Sequence, residues 1–315
     1  SVSRATVQRL LRSEGIKSPQ RRRPKKHRKR RERKAQAGLM LQWDGSPHAW
    51  LEKRGPRLCL MGALDDATGE LLKGAHFVEQ ESAAAYLQLL LQIAEVHGIP
   101  HAIYMDRHGS LKRNDDYWTV EEELRGEQDP THVGKALKLL DINPIYALSA
   151  QGKGRVERMW RTFQDRLVSE LRLAGTSTVA EANAVLEKFR PDFNKRFAVA
   201  PVETESAWRK PQKTTDLVRV CSFYYESTVL NDNTIRFSGV TIDIPPGPKR
   251  RSYAQAVVEV RQLLDGSWRV YHQDTCIATQ APTEAGELRA KPRRKRSAAS
   301  RAFRRAVSNV AVSLP

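Results

Sequence analysis

Residues 38 to 197 alternate short apolar runs with longer stretches of helical period, and no other feature restricts the fold as much. "LMLQWDG" reads as a strand ending at a turn, and "RLCLMGALDDATGELLKGAHFV" as a hairpin through "DDATG" followed by a further strand. "SAAAYLQLLLQIAEVHG" has a rich apolar helical face closed by Gly98. "HAIYMD" reads as a buried strand ending in an acid, "THVGKALKLL" as a helix and "NPIYALS" as a short strand. Helices follow at "GRVERMWRTFQDRL" and "VAEANAVLEKFRPDFN", the second with Pro191 where it can kink or divide. Three strands, helix, strand, helix, strand and closing helices predict an α/β layer in which helices cover a mixed sheet.

Residues 215 to 280 carry a different pattern. "NDN" and "LDG" read as hairpin turns among the β-rich runs "RVCSFYYESTVL", "TIRFSGVTIDIP", "AVVEVRQLL" and "SWRVYHQD". Gly239 shifts the alternation between Ile235, Phe237 and Val240, Ile242, Ile244, which suggests a bulge or a corner. These short strands predict a small all-β barrel, and no repeat of solenoid period is present.

Charge divides the chain further. Of a net +18, residues 1 to 37 hold 15 basic against 2 acidic side chains and residues 281 to 315 hold 9 against 2, which leaves the middle near neutral. Basic arms flanking an ordinary globule are what a phosphate backbone attracts through counterion release. "SVSRATVQRLLRSEGI" reads as a helix with Ser3 as N-cap, Val7, Leu10 and Leu11 on one side and Gly15 as the stop. Such a helix cannot bury its own stripe, so earlier helices are expected, with this one the last of a helix-turn-helix or any amphipathic helix of that length. Lys17 to Ala37 reads as a linker. The expected organisation is 1–37 helix-turn-helix end and linker, 38–210 α/β core, 215–280 barrel and 281–315 basic tail. No apolar run reaches membrane-spanning length, no secretory signal is visible, and the chain is expected to be soluble and intracellular. Cys59, Cys221 and Cys276 form no CxxC pair and read as small hydrophobes.

Carboxylates that secondary structure can converge are the candidates for chemistry. Asp44 is expected to end the first strand and Asp106 the fourth, so on neighbouring strands their ends lie about 5 Å apart. Glu157 follows "QGKG" near the start of its helix, rotated about 100° from the stripe of Val156, Trp160, Phe163, Leu167 and Leu171. Each has a plainer reading: turn residue or helix cap for the aspartates, i,i+4 partner of Arg161 for Glu157. Gathered together, three carboxylates need a cation between them, and open oxygen sites suit Mg²⁺ or Mn²⁺. Two such ions serve phosphodiester chemistry. Asp65 and Asp66 are competing acids explained by turn chemistry. Asp115, Asp116 and the run around Glu121 lie in an apparent insertion. His48 and His108 sit beside the two aspartates, either supporting them or as ordinary surface.

"LQWDGSPHAWLEKRGPRLCLMGALDDATGELL", "AIYMDRHGS", "QGKGRVERMWRTFQDRL" and "FRPDFNKRFAVAPVETESAW" resemble the acidic motifs and closing helix of DDE transposases with a retroviral-integrase-type core, over roughly residues 38 to 210. Among bacterial insertion-sequence enzymes the chain is most similar to the ISNCY group. The resemblance implies an RNase H-like sheet, two divalent ions held by Asp44, Asp106 and Glu157, release of a 3′-hydroxyl at an element end and its attack on target DNA. It implies that Lys153, Arg155, Arg158 and Arg161 grip DNA ends, beside the arm of Arg21, Arg22, Arg23, Lys25, Lys26, Arg28, Lys29, Arg30 and Arg31. It further implies double-stranded DNA as partner, copies of the chain assembled on it, and a bacterial cytoplasmic setting at the nucleoid. One departure is the 50 residues between Asp106 and Glu157, more than integrases commonly place there, with "KRNDDYWTVEEELRGEQDP" as the surplus. Integrase zinc ligands are not visible. An RNase H-like nuclease without strand transfer, an inactive domesticated DNA-binding protein and a basic RNA-binding protein are the competing readings.

Overall fold

The computed structural model describes residues 4–16, 32–115, 117–147, 154–237 and 239–288. The chain divides into two compact units, Ser1–Arg33 and Lys34–Pro315. In the first, helix α1 (Arg4–Ser13) ends where Gly15 takes φ +66°, as expected. Ser3 lies outside the described residues.

The second unit begins inside the expected linker. Ala35 and Ala37 carbonyls accept the Glu203 and Ala207 amides, and a Cβ on Gly38 would meet the Trp208 ring at 2.8 Å, so residues 34–37 are part of the core. Its strands β1 (Leu41–His48), β2 (Leu58–Asp65), β3 (His76–Val78), β4 (Ala102–Met105) and β5 (Asn143–Tyr146) form one sheet in the order β3-β2-β1-β4-β5. β1 to β3 pair antiparallel, whereas β4 and β5 run parallel to β1. That is the RNase H-like mixed sheet expected from the sequence.

Helices cover both faces because alternate strand residues point to opposite sides. Leu41, Trp43, Ile103 and Met105 share one core with α2 (Ala83–Val96) and α4 (His132–Leu139). Leu58, Leu60, Leu64 and Leu71 share another with α5 (Gly154–Leu173) and α6 (Val179–Phe197). α2 starts at Ser82, whose hydroxyl caps the Ala85 amide, and stops before Gly98 at φ +106°. α6 runs unbroken through Pro191. The surplus after Asp106 is built structure. Helix α3 (Val120–Arg125) has a capping box at Thr119, and buried Glu122 accepts from Arg113 and the Asp129 amide.

Two expectations need correction. The first strand does not end at Asp44. Antiparallel pairing with β2 continues from Asp44↔Gly62 to His48↔Leu58, so Asp44 is mid-strand and only the parallel pairing with β4 stops before it. The C-terminal strands do not close into a barrel. After the helical turn α7 (Leu217–Val220), β6 (Phe223–Thr228), β9 (Val257–Gln262), β10 (Trp268–His272) and β11 (Thr275–Gln280) form a four-stranded antiparallel sheet, and β7 (Thr234–Phe237) pairs with β8 (Val240–Asp243) as a separate ribbon. Ribbon and sheet meet through Ile235, Ile242, Val260, Trp268 and Val270, by apolar packing rather than a shared ladder. "NDN" turns the chain without making a hairpin, because β6 pairs with β9. The hairpin lies at Gly239, whose φ of +88° suits a two-residue loop between paired Phe237 and Val240.

Candidate active site

Strand alternation decides which way the aspartates face. With Trp43 and Met105 in the α2 core, Asp44 and Asp106 lie on the opposite face, towards α5. The parallel pairs Leu41↔Ile103 and Gln42↔Tyr104 end two residues short of Asp44 and Asp106, which hold equivalent register positions along the two neighbouring strands. Asp106 follows the last residue of β4, and its Oδ1 accepts the His108 amide at 2.9 Å.

Asp44 is oriented by a residue that periodicity alone hides. The Trp160 indole N–H donates to Asp44 Oδ2 at 3.0 Å, and one turn on, Gln164 donates to Ser46 Oγ at 3.1 Å. Gly62, directly opposite Asp44, makes this possible: a Cβ there would sit 2.7 Å from Trp160 Cη2. Trp160 reads in sequence only as part of an apolar stripe. The one signal for its role is a glycine inside an otherwise apolar strand, which marks a close approach.

Glu157 is exposed in the first turn of α5, one turn before Trp160, where the helix dipole favours an acid. No ion pair joins it to Arg161 among the described residues. Nor, among those residues, do three His, Cys, Asp or Glu side chains stand close enough together to hold a metal ion. Asp44 within β1 and Asp106 just past β4 thus occupy equivalent register positions, and Glu157 is carried by the first turn of α5. Arg158 and Arg161 are exposed on the same helix. Lys153 and the arm residues Arg21, Arg22, Arg23, Lys25, Lys26, Arg28, Lys29, Arg30 and Arg31 lie outside the described residues, as does Asp116.

Arg155, partly exposed, donates from its guanidinium to the fully buried carboxylate of Asp66 at 2.5 Å. Asp65 is the turn residue expected, its carboxylate accepting the Gly38, Ala67 and Thr68 amides, although burial still pushes its carboxyl above the usual range. Asp66 also takes hydrogen bonds from outside the turn, from the Lys34 amide, Gln42 and Arg155.

On the far side of the sheet, Glu81 also approaches the acids. Its Oε1 accepts the Tyr86 hydroxyl at 2.5 Å and lies 3.7 Å from His108 Nδ1. Burial foremost, then the charges of Glu81, Asp106 and Asp44, hold the Tyr86 phenol far above its ordinary pKa. Burial, then Glu81 and Asp44, push the Cys59 thiol up to about 12. Neither group ionises near neutrality. His48 stands edge-on to Trp50 at the end of β1, away from Asp44. A cleft of about 740 Å³ between α5 and α6 is lined by Phe189, Phe193 and Arg196 among others, and by none of the three acids.

Over 219 residues, 70% of its length, the chain is 36% identical to a Sinorhizobium fredii protein named "Putative transposase y4bF", of which the match covers 46%. It is 39% identical over 175 residues, 55% of the chain, to the transposase for insertion sequence IS1202 of Streptococcus pneumoniae, of which the match covers 36%. The chain is a homologue of insertion-sequence transposases, and the matched segment spans less than half of either curated relative. No protein-family model matches it. Similar solved structures include the intasome of simian T-cell lymphotropic virus in complex with the PP2A regulatory subunit B56 gamma, at 14% identity and TM-score 0.40 over 88% of this chain and 86% of that one. The HTLV-2 integrase catalytic core domain in complex with magnesium matches at 16% identity and TM-score 0.32, over 48% of this chain and 85% of that one. Likeness at that level transfers no function.

Proposed function

We propose that the chain is the catalytic portion of a DDE transposase, which cuts the 3′ end of an insertion sequence and joins it to target DNA. What supports this reading is that Asp44 and Asp106 hold equivalent register positions on β1 and just past β4, in a chain homologous to insertion-sequence transposases. Two hard carboxylates side by side fit Mg²⁺ or Mn²⁺, with Glu157 as the third donor. When bound, two such ions supply activation of the attacking oxygen and charge neutralisation at the leaving one.

The chain's own groups do the positioning. Trp160 holds Asp44 and the His108 amide holds Asp106, so both carboxylates are oriented before DNA arrives. Arg158 and Arg161, exposed beside Glu157, meet the phosphates of an element end, and Lys153 with the basic arm extends that grip without reading bases. The partners in this reading are double-stranded element ends, target DNA and further copies of the chain on paired ends.

The test incubates the full chain with labelled element ends, target DNA and Mg²⁺ or Mn²⁺. Nicked ends followed by joined products are expected. Nicks with no joined product under either metal indicate a nuclease, and protein that binds the ends yet yields neither product refutes the proposal.

A further inference from the structure

Asp66, fully buried, takes one hydrogen bond from the Lys34 amide at 3.0 Å, one from Gln42 Nε2 at 2.5 Å and one from Arg155 at 2.5 Å. Gln42 is itself fully buried, shares the α5-facing side of β1 with Asp44 two residues on, and has an Oε1 with no hydrogen-bond partner. A buried ion pair of this kind is a poor way to gain stability, since apolar replacements of similar volume are often neutral or better. What it does supply is a fixed position. Arg155 is in the first turn of α5, and Trp160, five residues on, is tethered to Asp44. The two contacts bracket Glu157, which is itself one turn from the second.

We propose that Arg155 and Asp66 are positioning residues whose ion pair seats the first turn of α5 on the β2 turn and so sets where Glu157 stands relative to Asp44 and Asp106. The proposal rests on the reading of Glu157 as the third acid. Without the Arg155 contact the polar ties of α5 named above begin at Trp160 and Gln164, and the packing of Val156 and Met159, which is not directional, lets the first turn roll about the helix axis. With side chains reaching about 5 to 6 Å from that axis, a roll of about 20° carries a carboxylate roughly 2 Å. Metal–oxygen distances tolerate about 0.2 Å, so even a small roll removes the third donor. Sequence hides the pair because each half has a plainer local reading, Asp66 as a turn acid and Arg155 as one more cation in a basic helix.

The experiment compares Mn²⁺ affinity by titration calorimetry, and amide exchange across residues 155–160, in the full chain and in Arg155→Gln, Arg155→Lys, Glu157→Gln and Arg155→Gln/Glu157→Gln. The double variant Asp66→Asn/Arg155→Gln removes both charges of the pair together and so guards against loss of folding from one left buried without the other. Arg155→Gln and Asp66→Asn/Arg155→Gln are expected to weaken Mn²⁺ binding about as much as Glu157→Gln, tenfold or more, and to speed exchange in the first turns of α5. Arg155→Lys should recover most of the affinity, and Arg155→Gln should add nothing once Glu157 is replaced. Unchanged Mn²⁺ affinity in Arg155→Gln, or losses that multiply in the double variant with Glu157→Gln, overturns the proposal. If the parent chain binds no Mn²⁺, it is the metal reading that falls. Exchange then judges the tether: faster exchange in Arg155→Gln supports it and unchanged protection overturns it.

Discussion

Replacing Gly62 by alanine adds a single methyl group directly opposite Asp44, and the structure fixes what that methyl must displace. Gly62 has no positive φ, so the backbone accepts alanine, and leaving out contacts the change would stabilise the strand by about 0.5–1 kcal/mol through lost chain entropy. The new Cβ would stand 2.7 Å from Trp160 Cη2 and 2.9 Å from Leu71 Cδ1. Leu71 can turn aside, but the indole cannot. Reaching the 3.4 Å where ordinary contact begins needs a retreat of about 0.7 Å, which can stretch the bond to Asp44 from 3.0 Å to about 3.7 Å, beyond hydrogen-bond range. Overpacking of this order costs about 1–3 kcal/mol, so after the entropic gain a net loss of up to about 2.5 kcal/mol is expected in urea denaturation. Trp160→Phe alone should also destabilise, through the lost bond to a carboxylate of about 1.5–3 kcal/mol, less whatever water restores. In the double variant the smaller ring makes room for the methyl, and the two losses should fall short of additive by about 1 kcal/mol or more. Gly62→Ala as stable as the parent, or additive losses, refutes this account of why the strand carries a glycine there.

Further expectations concern catalysis, pH and DNA. Asp44→Asn, Asp106→Asn and Glu157→Gln should each abolish nicking and joining of labelled ends while end binding survives in a filter assay; joining that persists in any of them removes that residue from the site. His132 is buried against Phe223 and Tyr225, accepts the Tyr224 amide at Nδ1, and has a pKa pushed down to about 4 by burial first and then by Lys135 and Arg261. Glu287 lies 3.7 Å away, its carboxyl raised above the usual range by burial. Because the folded state binds the proton less tightly than the unfolded chain, stability should be full above about pH 6.5, fall as pH drops and level off below about 4. The total is about 3 kcal/mol, read as a urea midpoint that His132→Gln makes less dependent on pH. Neutralising the basic run from Arg21 to Lys34 should weaken DNA binding equally for all sequences and flatten its salt dependence, and an unchanged slope in salt titrations counts against contact by this arm.

Local chemistry alone determined the order of elements. Short apolar runs became β2, β4 and β5; the 3.6-residue stripe of Val156, Phe163 and Leu167 became the buried side of α5; and Gly15, Gly98 and Asp65 act at the stops and turn where their own preferences put them. These signals lie within a few residues of the feature they encode, so one chain suffices to read them. Pairing partners are not local. Asp44 is mid-strand because β2 continues alongside it, Gly239 is a hairpin because β7 pairs with β8 while β6 pairs with β9, and the last strands stay as sheet and ribbon because apolar packing, not a ladder, joins them. The same holds for polar groups. Trp160 meets Asp44 across 116 residues and Arg155 meets Asp66 across 89, and only the packed fold decides which donor a buried carboxylate finds, because leaving it unpaired costs more than any local preference.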